Sequence, residues 1–248
     1  MNTTDRARIE LLIGAVFRLL AGCRTIAVGN SSPIPGAAAL LLRAKNPDTR
    51  VLMLGSRKHN AFTDGGRELF DCAAQGRIDA FFLGGGQIDG EGNINLVGLG
   101  PYPNITHRFP GSFGSTYLYF LVPRVILFRE EHTPRVMVPR VDFISAPGLS
   151  ASEVYRPGGP HALVTGRCVF AFDRTLRRFR LESVHPGESV ESVRANTGFD
   201  FDIAERVVET PALPPEDVAL LRGRVADEIA ETYPRFAQNL FNYKTSAA

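Results

Sequence analysis

The chain is 248 residues long, with 44% hydrophobic and 22% charged residues, so it is long enough to bury a full hydrophobic core. Its 28 basic and 26 acidic residues are spread along the whole chain. A nucleic-acid-binding protein is disfavoured, because such proteins cluster their basic residues.

The three cysteines, Cys23, Cys72 and Cys168, are far apart in the sequence and form no CxxC pair. Neither a disulfide framework nor a metal site is therefore predicted. No apolar run reaches membrane-spanning length, and the first thirty residues lack the pattern of a secretion signal. We expect a cytoplasmic protein with no membrane segment.

The first third of the chain alternates predicted helices and short apolar strands. The helices are Ala7–Leu20, Pro35–Ala44 and Glu68–Ala74, and the strands are Thr25–Val28, Val51–Leu54 and Ala80–Leu83. This order is typical of an α/β fold with a doubly wound, mostly parallel sheet. Such sheets bind ligands at the carboxyl ends of their strands, which directs attention to the loops at residues 29, 55 and 84.

The rest of the chain is richer in predicted strands. These are Val125–Phe128, Phe143–Ser145, Ala162–Val164, Cys168–Phe172 and Phe179–Val184, and some of them suit antiparallel positions at a sheet edge. Pro214 and Pro215 begin a helical segment toward Tyr233. With no repeat or long linker, residues 1–248 are predicted to form a single domain with a C-terminal helical segment from about 214.

The most informative stretch is the glycine-rich loop from Gly84 to Asn95, directly after a predicted buried strand. The amides of Gly84, Gly85 and Gly86 can point together at an oxyanion or a phosphate. A dinucleotide fingerprint is not indicated, because its glycines would open a helix and a polar turn follows here instead.

The segments Gly85-Gly86-Gln87-Ile88-Asp89 and Gly92-Asn93-Ile94-Asn95 together resemble a signature of β subunits in the class I coenzyme A transferase superfamily, such as the β subunit of glutaconate CoA-transferase. Segments elsewhere agree in order, among them Gly111–Ser115, His185–Gly187 and Thr197–Asp200.

The resemblance implies the NagB/RpiA/CoA-transferase-like fold and a separate α-type subunit, in a heterodimer or heterotetramer. It implies an acyl-CoA as substrate, so that coenzyme A enters as a thioester and no cofactor or metal is bound. It also places Gly84, Gly85, Gly86, Gln87, Asn93 and Asn95 in an oxyanion or substrate loop.

The family's usual nucleophile is a glutamate after the second strand, and this chain has Met53, Leu54 and Gly55 there. Neither a thioether nor an alkyl side chain can form the acyl anhydride of CoA transfer. A branch with the same departure is the steroid ring-opening CoA hydrolases, whose catalytic carboxylate lies on the α subunit. We therefore assign no catalytic residue to this chain. CoA transfer by the usual mechanism would need a carboxylate that comes from elsewhere.

Several other side chains are candidates for substrate or CoA contacts. Three basic residues follow the second strand: Arg57, Lys58 and His59. They suit a phosphate or a carboxylate as ligand, or they form a solvated basic loop. Ser112 and Gly114 permit close backbone contact, or they belong to a plain loop.

Acidic residues in two other stretches have simpler explanations than catalysis. Asp89 and Glu91 suit a carboxylate pair, although acids in such turns more often bond the local backbone. Glu130, Glu131 and His132 have no metal-binding spacing. The arginines Arg174, Arg177, Arg178 and Arg180 are most simply a solvated surface.

Three functions follow as hypotheses. The first is the β subunit of an enzyme that transfers CoA between carboxylic acids. The second is a hydrolase that opens a CoA-linked cyclic dione with a carboxylate from the α subunit. The third is a non-catalytic ligand-binding or structural subunit, because related folds serve as effector-binding domains.

Overall fold

The structure is a computed structural model that describes residues 3–241. The chain forms two compact units. The first consists of the residues up to 69, residues 77–82 and the residues from 211 on, and the second consists of residues 70–76 and 83–210.

The helices are α1 (Thr3–Leu19), α2 (Pro33–Lys45), α3 (Gly65–Ala74), α4 (Ser115–Leu121), α5 (Val190–Ala195), α6 (Pro215–Leu220), α7 (Ala226–Thr232) and α8 (Pro234–Phe241). The strands are β1 (Thr25–Val28), β2 (Arg50–Met53), β3 (Ala80–Leu83), β4 (Gln87–Ile88), β5 (Ile94–Asn95), β6 (Gly98–Leu99), β7 (His107–Arg108), β8 (Arg124–Arg129), β9 (Pro160–Thr165), β10 (Cys168–Asp173), β11 (Arg178–Val184) and β12 (Asp202–Glu209). A π-helical turn, Leu221–Val225, joins α6 to α7.

In the first unit, β1 pairs in parallel with both β2 and β3, and Ile26 lies opposite Val51 and Ala80. The strands are short and almost wholly buried, as expected of a parallel sheet covered on both faces. Helix α2 is rich in alanine and leucine and is buried from Ile34 to Leu41. It packs against α1, α7 and the π-helical turn, so that the C-terminal helices complete the core of this unit.

In the second unit, the strand order is β12-β11-β10-β9-β8. The pairings β8 with β9 and β11 with β12 are parallel, whereas β10 is antiparallel to both of its neighbours. Rings pack around the fully buried Phe170, whose neighbours are Phe179, Phe199 and Phe201. Two short antiparallel pairs, β4 with β5 and β6 with β7, precede these strands in the chain.

Four of the six pairings within these two strand sets are parallel, which confirms the predicted α/β class with a mostly parallel sheet. One predicted strand is wrong. Phe143–Ser145 is not a strand, because this segment bonds the glycine loop irregularly: Ser145 N donates to Ile94 O and Ser145 Oγ accepts from Leu96 N. Strand β12 was not predicted, since it is mostly exposed and rich in charged residues.

The C-terminal helical segment starts at Pro215, close to the predicted position, and α8 extends it beyond Tyr233. Among residues 3–241, no helix is both long and apolar enough to cross a membrane.

Candidate active site

The glycine loop begins directly after the buried strand β3, as the sequence predicts. A Cβ at Gly86 would lie 2.2 Å from the Phe109 ring, and one at Gly85 would lie 2.7 Å from Gln87 O. Glycine is required at both positions because protein atoms already occupy the space of a side chain. The Gly86 amide donates to Asn95 O at 2.9 Å, so it is occupied within the loop. The predicted oxyanion donors thus narrow to the amides of Gly84 and Gly85.

Gln87 and Asn95 are buried and hold this loop closed. Asn95 Nδ2 donates to Gln87 Oε1 at 2.8 Å, and Asn95 Oδ1 accepts from the amides of Val97 and Gly98 at 3.0 and 3.2 Å. Gln87 Oε1 also accepts from the amide of Asp142 at 2.9 Å. These amide side chains satisfy buried backbone groups, which gives them a positioning role in the loop.

The turn that follows is organised around the buried carboxylate of Asp89. Its Oδ1 accepts from the amides of Glu91 and Asn93 at 3.1 and 3.0 Å, and its Oδ2 accepts from Asn93 Nδ2 at 3.1 Å. Asn93 Oδ1 in turn accepts from Gly148 N at 3.0 Å. Burial raises the pKa of Asp89, and the hydrogen bonds from Asn93 oppose that rise. The geometry favours local bonding over a catalytic carboxylate pair with Glu91.

A cleft of about 590 Å³ lies beside this turn, wholly within the second unit. Its lining includes three arginines and three acids, which are Arg140, Arg177, Arg178, Asp89, Glu91 and Asp200. Two arginines assigned from sequence to a solvated surface therefore line a cleft next to the signature turn. The cleft presents both charge signs, which suits a polar ligand.

Ser112 and Gly114 lie at the start of α4. A Cβ at Gly114 would lie 2.0 Å from the Phe70 ring, so glycine is needed there for packing. Phe113 has a φ of 44° and is 86% exposed, with its ring centroid 5.5 Å from that of Phe70. Gly114 therefore lets the Phe70 ring approach the backbone, and Ser112 remains a candidate for ligand contact.

In the first unit, Met53 ends β2 and is followed by Leu54 and Gly55, so none of the three positions where we expect the family glutamate holds a carboxylate. Leu54 is half-buried and Gly55 is exposed. The loop then closes on Ser56, whose buried hydroxyl accepts from the amides of Lys58 and His59 at 3.1 and 2.8 Å. This turn fixes the direction of the basic segment that follows.

A carboxylate does reach this loop, and it comes from the C-terminal part of the chain. Ser56 Oγ donates to Glu231 Oε2 at 2.6 Å, and the Arg57 amide donates to Glu231 Oε1 at 2.8 Å. Burial tends to raise the pKa of Glu231, but the bonds from Ser56 and Arg57 outweigh it, and the pKa is lowered. Sequence analysis missed Glu231 because nothing distinguishes it locally from any other acid on a helix.

The residues after Glu231 hold the neighbouring loop. Tyr233 Oη donates to Gly29 O at the end of β1 and accepts from the Ser32 amide, both at 3.2 Å. The end of α7 therefore holds the loops after β1 and β2 together.

His59 is part of a cluster with Arg43 and Glu228. Its Nδ1 lies 3.3 Å from Arg43 Nη1, and because a guanidinium only donates, Nδ1 is the acceptor and the proton sits on Nε2. Arg43 also bonds Glu228, which pairs with Arg224. Burial, followed by the charge of Arg43, lowers the pKa of His59, so this imidazole is neutral near pH 7.

His132 does not take part in a metal site in the part of the chain that is described. Its ring nitrogens bond the hydroxyls of Thr165 and Thr197, each at 2.8 Å. Within residues 3–241, no group of three or more histidine, cysteine, aspartate or glutamate side chains is arranged to hold a metal ion.

Comparison with known proteins places this geometry in a family. The model of the coenzyme A transferase family matches residues 10–196, which is most of the chain. The B-type subunit of glutaconate CoA-transferase from Acidaminococcus fermentans is 32% identical over 151 residues, 58% of this chain and 56% of that relative. The cholesterol ring-cleaving hydrolase IpdB subunit of Rhodococcus jostii is 33% identical over 138 residues, 54% of each protein. The chain thus aligns with little more than half the length of these relatives.

Similarity in three dimensions extends further. The crystal structure of IpdAB from Rhodococcus jostii RHA1 contains a chain that is 27% identical, with a TM-score of 0.76 over 87% of this chain and 93% of that one. A variant of the decarboxylase AibA/AibB gives 25% identity and a TM-score of 0.74, again over 87% of this chain and 93% of that one. The fold, the signature loop and the family match agree: the chain belongs to the coenzyme A transferase family.

Proposed function

We propose that this chain is the β-type subunit of a heteromeric enzyme that acts on an acyl-CoA, with an α-type subunit as its partner. The match to B-type subunits of CoA-transferases and to an IpdB subunit supports this assignment. Residues 1–248 then form one β-type domain, and coenzyme A takes part as the thioester substrate. We place the enzyme in the cytoplasm, in keeping with three cysteines that form no disulfide.

Within this class, we propose that the enzyme cleaves its substrate with water instead of transferring CoA. The observation that carries the proposal is the run Met53-Leu54-Gly55 at the end of β2 and directly after it, where the resemblance to transferases of this family leads us to expect a glutamate. An alkyl side chain cannot attack a thioester, so the reacting carboxylate would come from the α-type partner.

The chemistry suits a CoA-linked cyclic dione. A water molecule, deprotonated by the partner's carboxylate, would add to one ring carbonyl. The adjacent carbon–carbon bond would then break, leaving a carboxylic acid on one side and an enolate that takes up a proton on the other. The amides of Gly84 and Gly85 are the donors in this chain for the developing negative charge, with Gln87, Asn93 and Asn95 holding the loop.

The other candidate contacts take substrate-binding roles in this proposal. Arg57 and His59 follow β2 and offer a guanidinium and an Nε2–H to a carboxylate or phosphate of the substrate. Ser112 offers a hydroxyl just before α4. Gly114 adds no side chain there, so a ligand can approach the backbone.

A second candidate is CoA transfer through Glu231, the carboxylate that reaches the loop after β2. It is bonded to Ser56 and Arg57, and the lowered pKa keeps it ionised, as a nucleophile requires. Those same bonds stabilise the carboxylate's charge and so make it a weaker nucleophile, which is why we rank transfer second.

The test is to co-express the chain with an α-type subunit and to incubate the purified complex with CoA-linked cyclic diones and simple acyl-CoAs, with and without a labelled carboxylate acceptor. Mass spectrometry identifies the products that still carry CoA. We expect a product heavier by one water with CoA still attached, independent of the acceptor. A new labelled acyl-CoA that forms only with the acceptor would overturn the hydrolytic proposal.

Glu231→Gln separates the two candidates further. Under the hydrolytic proposal its kcat/KM stays within about threefold of the parent, whereas a nucleophile lost from a transferase lowers the rate by about a thousandfold or more. Glu228→Gln is the matched control, because it lies one turn earlier on α7 and bonds Arg43 and Arg224 instead of the loop after β2.

A further inference from the structure

A second cleft, of about 350 Å³, lies in the first unit along the beginning of β2. Its walls are the last turn of α2, the connection from α2 to β2, and the chain that returns after Ser56. The Met53 amide donates to His59 O at 3.0 Å, which holds this returning segment against β2. The glycine loop and the cleft beside Asp89 belong to the other unit.

One lining residue is a buried polar side chain without a partner. Thr49 is only 2% exposed, and within the described residues its Oγ1 forms no hydrogen bond. Buried hydroxyls are normally paired, so Thr49 brings an unused donor to the residues that line the cleft. Its backbone is accounted for, because the Thr49 amide donates to Asn46 O at 3.0 Å.

The charges around Thr49 favour an anion. Arg43, Arg50 and Lys58 line the cleft, against a single carboxylate, that of Asp48. Within residues 3–241, Arg50 and Lys58 form no ion pair, whereas Arg43 is partly neutralised by Glu228. Two of the three cations are therefore available to a ligand.

His59 adds a directed donor. Because its Nδ1 accepts from Arg43, its Nε2 carries a hydrogen, and His59 also lines this cleft. Guanidinium, ammonium, imidazole N–H and hydroxyl groups together offer several donors and few acceptors. A tetrahedral oxyanion, with many lone pairs and more than one negative charge, matches that set better than a carboxylate does.

We infer that the cleft formed by Arg43, Thr49, Arg50, Lys58 and His59 binds a phosphate group. The inference stands on the unpaired hydroxyl and the surrounding cations, and it holds whether or not the proposed hydrolysis does. The phosphate belongs either to free inorganic phosphate or to a phosphate of coenzyme A. In the latter case the cleft anchors the substrate of the proposed function.

The test uses the full chain, in complex with its α-type partner where one is co-purified, and four probes: inorganic phosphate, sulfate, coenzyme A and dephospho-coenzyme A. Binding is measured by calorimetry at fixed ionic strength and by the shift in thermal midpoint. We expect phosphate to bind and to compete with coenzyme A. If phosphate competes with coenzyme A and coenzyme A binds more tightly than its dephospho form, the bound group is the 3′-phosphate; if phosphate competes equally with both forms, the bound group is the diphosphate. Binding of phosphate without competition assigns the site to free phosphate.

Thr49→Val is the decisive variant, because it removes the hydroxyl and keeps the shape. Since that hydroxyl has no protein partner, the variant should unfold at the same temperature or higher without ligand, yet bind phosphate roughly tenfold more weakly. If Thr49 had only a structural role, the unfolding temperature and the phosphate affinity would fall together.

Arg50→Gln with Lys58→Gln should weaken phosphate binding at least as much, and Arg67→Gln with Arg206→Gln is the control with the same loss of charge at two arginines that do not line the cleft. Unchanged phosphate binding in Thr49→Val and in the Arg50/Lys58 pair would overturn the inference. Equal weakening in the control pair, or no binding of phosphate and coenzyme A to the parent, would overturn it as well.

Discussion

The two loops that follow β2 and β3 are held in different ways. After β3, the loop is held partly by bonds within itself, since Asn95 bonds Gln87 eight residues away and Asn93 bonds Asp89 four residues away, and partly by bonds from the amides of Asp142 and Gly148. After β2, the loop is held by Glu231, which is 175 residues from Ser56 in the chain. A local network leaves a sequence signature, whereas a distant tie leaves none, and the two loops accordingly differ in how well they could be predicted.

The largest expected effect tests how tightly the signature turn packs against Gly148, whose amide bonds Asn93. A Cβ at Gly148 would lie 2.1 Å from Glu91 O, a backbone atom that cannot move without opening the turn. We expect Gly148→Ala to lower the free energy of unfolding by about 3 kcal/mol, measured by denaturant titration.

Gly223→Ala is the control, since nothing lies within 4 Å of a Cβ there and the residue is helical. It should leave stability unchanged or raise it by about 0.5 kcal/mol. A Gly148→Ala protein as stable as this control would show that the turn is not the rigid element described here.

His132 shows that the second unit also depends on partners that are distant in the chain, since its ring bonds Thr165 and Thr197. Burial, followed by the charge of Arg167, lowers the pKa of His132 to about 4. The unfolded chain binds this proton below about pH 6.5, so stability is present above that pH and is lost as the pH falls toward 4. The loss reaches about 3 kcal/mol at pH 4.

Unfolding titrations between pH 4 and 7 measure this loss. His132→Gln should flatten the pH dependence across that window, whereas the exposed His107→Gln should leave it as in the parent. Equal curves for parent and His132→Gln would exclude this role for His132.

Asn95→Ala tests the hydrogen bonds that the glycine loop forms within itself. The variant leaves the amides of Val97 and Gly98 without Asn95 Oδ1 and removes one donor from Gln87. We expect a loss of about 2 kcal/mol in the free energy of unfolding. Hydrogen exchange should become faster at residues 95–98, and a uniform increase over the whole unit would contradict a local effect.

Glu231→Gln gives the smallest expected change in stability, about 1 kcal/mol, because a glutamine oxygen still accepts one of the two hydrogen bonds. Since the pKa of Glu231 is lowered in the folded protein, its contribution is present above the carboxyl's ordinary pKa and is lost as the pH falls through the folded value. The difference between parent and variant should therefore shrink in acid, and a constant difference would contradict the assignment.

Local patterns in the sequence determined the alternation of helices and strands and the glycine loop, and they placed Met53, Leu54 and Gly55 where the family resemblance leads us to expect a glutamate. Each depends on residues close together in the chain, such as short apolar strands or the spacing from Gly85 to Asn95. The Phe143–Ser145 prediction failed because an apolar, β-prone tripeptide specifies neither a pairing partner nor a register, and here its partners are the irregular backbone around Ile94.

The tertiary structure alone decided which side chains complete these loops. The contacts of Glu231 with Ser56 and of Tyr233 with Gly29 join positions 175 and 204 residues apart, and Arg43 meets His59 from another element 16 residues earlier. The unpaired hydroxyl of Thr49 was likewise invisible in sequence, since burial and a missing partner exist only once the chain has folded. Ionisable and polar groups take their roles from neighbours within a few ångströms, and only the packed chain sets those neighbours.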